Sequence, residues 1–178
     1  MKTSLTHPLQ IDHVRPHSDM GLIGMCLCPG KKQPETEARS WDRDITLDIQ
    51  TIRAWNAVAV LTLLEEQDMH DLEVSDLGTQ ISDAGMTWYH LPIKDYAPPT
   101  AHFEEQWQTV GKDLRLFLKA GDNILIHCNA GLGRSGTIAA KLLIELGLEA
   151  KDAVNKIRQA RPGAIETTEQ LNYVMGLK

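Results

Sequence analysis

Cys128 and Arg134 sit six residues apart in NILIHCNAGLGRSGTIAAKLL, residues 123–143. A β-type apolar run leads into the cysteine. Two glycines, a lone arginine and a serine follow, and then an apolar helical stretch begins. A thiol is a strong nucleophile only as its thiolate. Inward-facing amides, a helix N-terminus and a nearby cation can lower a cysteine pKa from about 8.5 to roughly 3.5–7.5. Gly131 and Gly133 permit the turns that aim successive N–H groups inward as a nest for oxyanions. The planar fork of Arg134 can grip two oxygens of such an anion. The segment therefore reads as a nucleophile, Cys128, inside an oxyanion cradle made by Asn129, Ala130, Gly131, Leu132, Gly133 and Arg134. Two other phosphate loops fit worse. GLGRSG (131–136) matches the dinucleotide pattern G-x-G-x-x-G, but KDAVNKIRQA, the next pattern after its helix, is helical, where a βαβ unit needs a strand. A Walker A loop needs Gly-Lys-Ser/Thr, and here Gly133 precedes Arg134.

The elements that must position this loop follow from hydrophobic period and punctuation. MGLIGMCLC (20–28) reads as a strand stopped by Pro29-Gly30. Ile45, Ile49 and Ile52 repeat at helical spacing within 42–56. AVAVLTLL (57–64) is a buried strand, Ser75 is placed to cap a short helix ending near Gly85, and MTWYHL (86–91) is another strand. Thr100 caps a long helix whose apolar face is Phe103, Trp107, Val110, Leu114 and Phe117; that stripe is core, not a cofactor box. NILIH is the last strand, and helices are expected near 135–147, 150–160 and 167–177. Strands alternating with helices predict an α/β fold with a central, mainly parallel sheet flanked by helices. Ligands of such sheets bind beyond the carboxyl ends of the strands, where Cys128 lies.

Composition sets the outer bounds. At 178 residues, with 42% hydrophobic and 24% charged residues, one domain is expected: an N-terminal lead-in over 1–19 and a catalytic domain over 20–178. The net charge of −6 argues against nucleic acid as a partner and gives no general attraction to an anionic membrane surface. Cys26, Cys28 and Cys128 form an odd set without framework spacing, the N-terminus has no apolar signal core, and Met20–Cys28 is too short to span a bilayer. The expectation is a soluble, cytoplasmic chain. His7, His13 and His17 are too irregularly spaced to be read as a metal site, and no metal or cofactor is expected.

HCNAGLGRS, as His-Cys-x5-Arg-Ser, resembles the signature of the cysteine-dependent protein phosphatases. In that setting Ser135 would hydrogen-bond the sulfur and help it leave from a phosphocysteine, and His127 would brace the loop from behind. Such an enzyme needs a general acid for the leaving oxygen and then a base for water. Asp95, 33 residues before Cys128 in the loop of HLPIKDYAPPT, resembles in order and spacing the mobile-loop aspartate of dual-specificity phosphatases. ARPGAIETTEQLNYV (160–174) resembles the segment that ends in a water-positioning glutamine, which maps to Gln170. Over almost the whole chain CPGKK, WDRDITLDI, VLTLLEEQDM, HLPIKD, the cysteine loop and RPGAIET resemble the kinase-associated phosphatase (cyclin-dependent kinase inhibitor 3-like) group. The resemblance implies the phosphotyrosine phosphatase II-like fold, no metal, and a phosphorylated protein as substrate. One departure is that no segment clearly resembles the phosphotyrosine-recognition loop of classical tyrosine phosphatases, so serine/threonine phosphate stays open beside phosphotyrosine.

Three other functions compete. A phosphoinositide phosphatase would share Cys-x5-Arg. The phosphatase and tensin homologue, however, carries lysines inside that loop, whereas residues 129–133 here add no charge. A sulfurtransferase or arsenate reductase leaves Asp95 and RPGAIET without a use. A non-catalytic phosphopeptide-binding module would have no need to keep Cys128, Arg134 and Asp95 together. Weaker assignments concern the surroundings. Glu65 or Glu66 is placed to hold Arg134, with surface solvation as the alternative. Lys31, Lys32 and Arg43 read as a basic turn before a basic rim for substrate, and Cys26 and Cys28 as buried thiols before redox partners of Cys128.

Overall fold

The computed structural model describes residues 1–34 and 40–177. In chain order the strands are β1 (Lys2–Thr3), β2 (Asp12–Val14), β3 (Ile23–Cys26), β4 (Lys32–Gln33), β5 (Trp41–Asp42), β6 (Ala57–Thr62), β7 (Thr87–His90) and β8 (Asn123–His127). The helices are α1 (Ile45–Ala54), α2 (Glu66–Asp71), α3 (Leu77–Asp83), α4 (Ala101–Lys119), α5 (Gly133–Glu145), α6 (Ala150–Ala160) and α7 (Thr168–Met175). The main sheet has the order β2-β3-β8-β6-β7, parallel throughout except for β2, which runs antiparallel to β3. A small second sheet has the order β1-β5-β4. This is the α/β architecture, with a mainly parallel sheet flanked by helices, that the sequence pattern predicts.

The most continuous apolar strands take the middle of the sheet, where both faces are covered. Ile124, Leu125 and Ile126 of β8 are fully buried, as are Ala59, Val60 and Leu61 of β6. Register brings Cys26 of β3 and Thr62 of β6 level with His127 of β8, so three parallel strands end at one height. Cys128 is the next residue, at the top of the central strand. Every side chain of α5 from Gly133 to Ile144 is buried, which fixes the start of this helix against the strand ends. On α4, Phe103, Trp107, Leu114 and Leu118 are buried while Val110 and Phe117 are half-buried, so the expected stripe is the core face and its edge. Thr100 caps α4 by accepting from the Phe103 amide at 3.3 Å.

Several boundaries differ from the sequence pattern. The cap of α3 is Asp76, not Ser75, and the six-residue α2 was not foreseen. Residues 1–19 carry β1 and β2, with β2 extending the main sheet. Two of the three histidines there pack on rings, His7 on Trp41 and His13 on Trp55, and His17 Nε2 lies 2.9 Å from the Leu146 carbonyl. Among the described residues no helix is long and apolar enough to cross a membrane.

Candidate active site

The loop from Cys128 to Leu132 joins β8 to α5, and each of its carbonyls after the cysteine is claimed from outside. The Asn129 carbonyl accepts from the Cys28 amide at 3.0 Å and from Lys31 Nζ at 3.2 Å. Arg161 donates through NH2 to the Ala130 carbonyl and through Nε to that of Gly131. The Leu132 carbonyl accepts from the Gly136 amide at 2.9 Å and from that of Ile165 at 3.3 Å. Within a peptide plane C=O and N–H point in opposite directions, so outward carbonyls leave the N–H groups to the inside of the loop. The first turn of α5 adds amides with no intrahelical acceptor and the positive end of its dipole. The result is an anion nest. Gly131 has a φ of 70°, and a β-carbon there would lie 2.1 Å from the Cys26 carbonyl oxygen, so no side chain fits.

Arg134 is 1% exposed and held at one end. Its NH1 donates to Asp68 Oδ2 at 2.7 Å and to the Ile93 carbonyl at 3.0 Å. Its Nε and NH2 are buried without a hydrogen-bond acceptor among the described residues; NH2 lies 3.1 Å from Asp95 Oδ1 as an ion pair. Burial opposes the guanidinium charge, but Cys128, Asp68 and Asp95 outweigh it and raise the pKa, so the group stays charged. The carboxylate expected from Glu65 or Glu66 thus comes from Asp68, in the first turn of α2. There Asp68 also accepts from the Glu65 amide in a capping box. E-x-x-D is not the usual Ser/Thr-x-x-Glu/Gln cap signature, so the sequence carried no clear signal for Asp68.

Cys128 is 3% exposed. His127 beneath it is fully buried, and burial lowers its pKa to about 4, so the imidazole is neutral near pH 7. Its Nε2 lies 2.7 Å from Thr62 Oγ1, which accepts in turn from Trp88 Nε1 at 2.9 Å. Neither Thr62 nor Trp88 was singled out from sequence, since a strand threonine and tryptophan carry no positional signal. Ser135 Oγ is buried and has no hydrogen-bond partner among the described residues, so the bond to the Cys128 sulfur expected from the sequence is not made in this structure.

Asp95 is brought to the same place from a different strand. It follows β7 in the loop 91–100, and its side chain is 47% exposed. Gln170 is fully buried at the start of α7; its Oε1 accepts from the amides of Glu166 and Thr167, and its Nε2 faces the Ala97 carbonyl at 3.4 Å. A β-carbon on Gly133 would meet Glu166 Oε2 at 2.5 Å and the Gln170 amide group at 3.0 Å, so Gln170 packs against the first residue of α5. Arg134 and Asp95 thus meet in an ion pair, His127, Cys128 and Ser135 lie along the same strand–loop–helix segment as Arg134, and Gln170 packs at the start of that helix.

The basic residues do not form an open rim. Arg43 is buried and makes a two-pronged pair with Asp48, Nε to Oδ2 at 2.7 Å and NH2 to Oδ1 at 2.8 Å. Lys31 is buried against the loop, donating to Asn129 Oδ1 at 3.0 Å, and Lys32 pairs with Asp42. Cys26 and Cys28 are free, fully buried thiols whose pKa values burial pushes up, so neither is primed as a thiolate.

Comparison with known proteins is consistent with this geometry. Residues 37–148 match the family described as "Polymorphic toxin system, DSP-PTPase phosphatase". The chain is 39% identical over 103 residues to human protein tyrosine phosphatase type IVA 3, covering 57% of this chain and 58% of that one. To pig cyclin-dependent kinase inhibitor 3 it is 30% identical over 156 residues, 85% of this chain and 69% of the relative. The crystal structure of kinase-associated phosphatase with its catalytic-site cysteine changed to serine superposes with a TM-score of 0.81 at 25% identity, covering 94% and 92% of the two chains.

Proposed function

We propose, for a chain that belongs to the dual-specificity protein tyrosine phosphatase family, that it hydrolyses phosphoprotein monoesters through a phosphocysteine. The observation that carries this reading is the state of Arg134. NH1 is anchored to Asp68 and Ile93, while Nε and NH2 are buried without a hydrogen-bond acceptor among the described residues, NH2 facing Asp95 in an ion pair, beside a loop of inward amides. Buried guanidinium N–H groups left without hydrogen-bond acceptors are costly. A dianionic phosphoryl group, with oxygens for both Arg134 and the amides, offsets that cost.

Cys128 attacks phosphorus as its thiolate, forming the S–P bond as the bond to the leaving oxygen breaks. The incoming oxygens take the Arg134 nitrogen that Asp95 faces, and Asp95 turns to protonate the leaving oxygen. In the second step Asp95 accepts a proton from water, which Gln170 places by turning its side chain away from the Glu166 and Thr167 amides. The water oxygen bonds to phosphorus, the S–P bond breaks, and Ser135 stabilises the departing thiolate. His127 supports the loop as a neutral group.

Phosphotyrosine is accepted, and phosphoserine or phosphothreonine also fits a site whose acid is half-exposed. The loop residues 129–133 carry no charge, and Lys31, Lys32 and Arg43 are engaged elsewhere, which favours a single phosphoryl group over the several of an inositol ring. The test pairs Cys128→Ser with a substrate panel. The variant should lose turnover while still binding inorganic phosphate, because the hydroxyl is a far poorer nucleophile in the same nest. Activity comparable to the parent would end the phosphocysteine mechanism. A kcat/KM higher on an inositol lipid than on every phosphopeptide would overturn the phosphoprotein assignment.

A further inference from the structure

The loop that carries Asp95 is bent at a strained residue. The Ala97 amide donates to the Lys94 carbonyl at 3.1 Å, closing a turn whose two central residues are Asp95 and Tyr96. Tyr96 has a φ of 60°, in the left-handed region, at the turn position where glycine or asparagine is usual. A bulky residue stays there only if its surroundings over-determine the conformation. Burial does not supply this, since Tyr96 is 61% exposed.

Two hydrogen bonds hold the peptide groups of Tyr96. Asp95 Oδ1 accepts from the Tyr96 amide at 3.1 Å, which ties the carboxylate to its own turn. The Tyr96 carbonyl accepts from Thr167 Oγ1 at 3.0 Å, across 71 residues of chain. The same hydroxyl oxygen accepts from the Gln170 amide at 3.1 Å as the cap of α7. Thr167 thus uses its lone pair to start α7 and its proton to hold the Asp95 turn.

We infer that Thr167 is a positioning residue, which aims Asp95 at the leaving oxygen by tethering the strained Tyr96 peptide to the first turn of α7. This rests on the phosphatase reading given above. The tether is exposed to water, so its net strength is that of a single neutral hydrogen bond. Losing it is expected to lower the population of the aimed loop by about five- to tenfold. Substrates whose leaving group needs a proton should feel this, and substrates with good leaving groups should hardly feel it.

Two substitutions separate the tether from the cap. Thr167→Ser keeps both hydrogen bonds. Thr167→Asp keeps a strong helix cap but has no proton for the Tyr96 carbonyl, and Thr168→Asp, one residue along on the exposed side, controls for the added charge. Two quantities are measured: kcat across aryl phosphates of graded leaving-group pKa, and hydrogen exchange of the Tyr96 and Ala97 amides in a Cys128→Ser background. With Thr167→Asp, kcat should fall about five- to tenfold on the poorest leaving groups and little on the best, and both amides should exchange faster by a similar factor. Thr167→Ser and Thr168→Asp should match the parent in both. If Thr167→Asp matches the parent in exchange, the tether is overturned whether or not the chain is a phosphatase. Faster exchange with a loss that ignores the leaving group would overturn the positioning role. No Cys128-dependent turnover by the parent would instead end the phosphatase reading, and with it any role of Thr167 in catalysis.

Discussion

Two loops leave the carboxyl end of the sheet, and they are held in opposite ways. Residues 128–132 rise from the central strand β8, and every carbonyl from Asn129 to Leu132 is pinned by a donor outside the loop. Residues 91–100 rise from the edge strand β7. There Leu91 and Ile93 donate to the Thr62 and Leu63 carbonyls, but Lys94, Asp95 and Tyr96 are exposed, and the tip hangs on Thr167, Gln170 and Arg134. The difference follows from the two tasks. Oxyanion binding gains most when dipoles are fixed before charge develops. A group that serves as acid and then as base must meet two different partners, the leaving oxygen and water, and a loop with weak tethers allows that.

Breaking the rigid side should have the largest effect. In Arg134→Lys a point charge replaces the planar fork, so the contact to Asp68 can persist while two-oxygen recognition cannot. A loss of about 10³-fold in kcat/KM is expected, the upper end of the scale for removing an oxyanion donor. The loss should be alike for good and poor leaving groups. Near-parent kinetics would move oxyanion binding away from this loop.

Breaking the weakly tethered side should give a different signature. Asp95→Asn should lower kcat by roughly 10²–10³ on poor leaving groups, and the deficit should shrink as the leaving group needs less protonation. Thermal stability should barely change, because Arg134 keeps Asp68 and the Ile93 carbonyl. A deficit independent of the leaving group would make Asp95 a structural partner of Arg134 only.

The rigid loop was legible from the chain because its causes are local. Gly131, Gly133 and Arg134 are within six residues of Cys128, and an apolar strand and helix bracket them. What holds the loop was not legible, because it arrives from far away. Asp68 is 66 residues before Arg134, Arg161 is 30 residues after Gly131, and neither the basic-turn reading of Arg43 nor the rim alternative included its carboxylate five residues on, Asp48. The first 19 residues looked polar and irregular because a two- and a three-residue strand are too short for a period to show. Thr167 was visible as the start of a helix but not as a tether, since its second bond reaches Tyr96 on another loop. Local patterning predicts the nest, and the supports need the fold.

Rigidity also carries a dependence on pH. His127 sits under the loop with its pKa lowered by burial to about 4, from an ordinary value of 6.5. The unfolded chain therefore binds a proton that the folded one refuses between those values. Its contribution to stability is complete above about pH 6.5 and is lost as pH falls toward about 4. The shift corresponds to roughly 3 kcal/mol. Denaturant midpoints taken from pH 7.5 to 4 should fall along that window, and His127→Gln, though less stable at pH 7.5, should flatten the curve there. An unchanged slope in the variant would assign the acid sensitivity to other groups.

The smallest effect should come from loosening the rigid loop without touching the anion. Arg161 donates to the Ala130 and Gly131 carbonyls and is itself steadied by Asp12 Oδ2 at 2.6 Å. Arg161→Met keeps much of the stem packing but frees both carbonyls, so the two peptide planes can turn and their amides no longer all face inward. About a tenfold loss in kcat/KM is expected, the scale of one or two hydrogen bonds. The loss should not vary with the leaving group, and affinity for inorganic phosphate should fall by a similar factor. Asp12→Asn weakens only the support of Arg161 and should cost less, about threefold, with the same signature. The Arg161 pattern then matches Arg134→Lys in kind and differs from Asp95→Asn. A leaving-group-dependent loss in Arg161→Met would mean that the cysteine loop also governs the acid, and the division between the two loops would not hold.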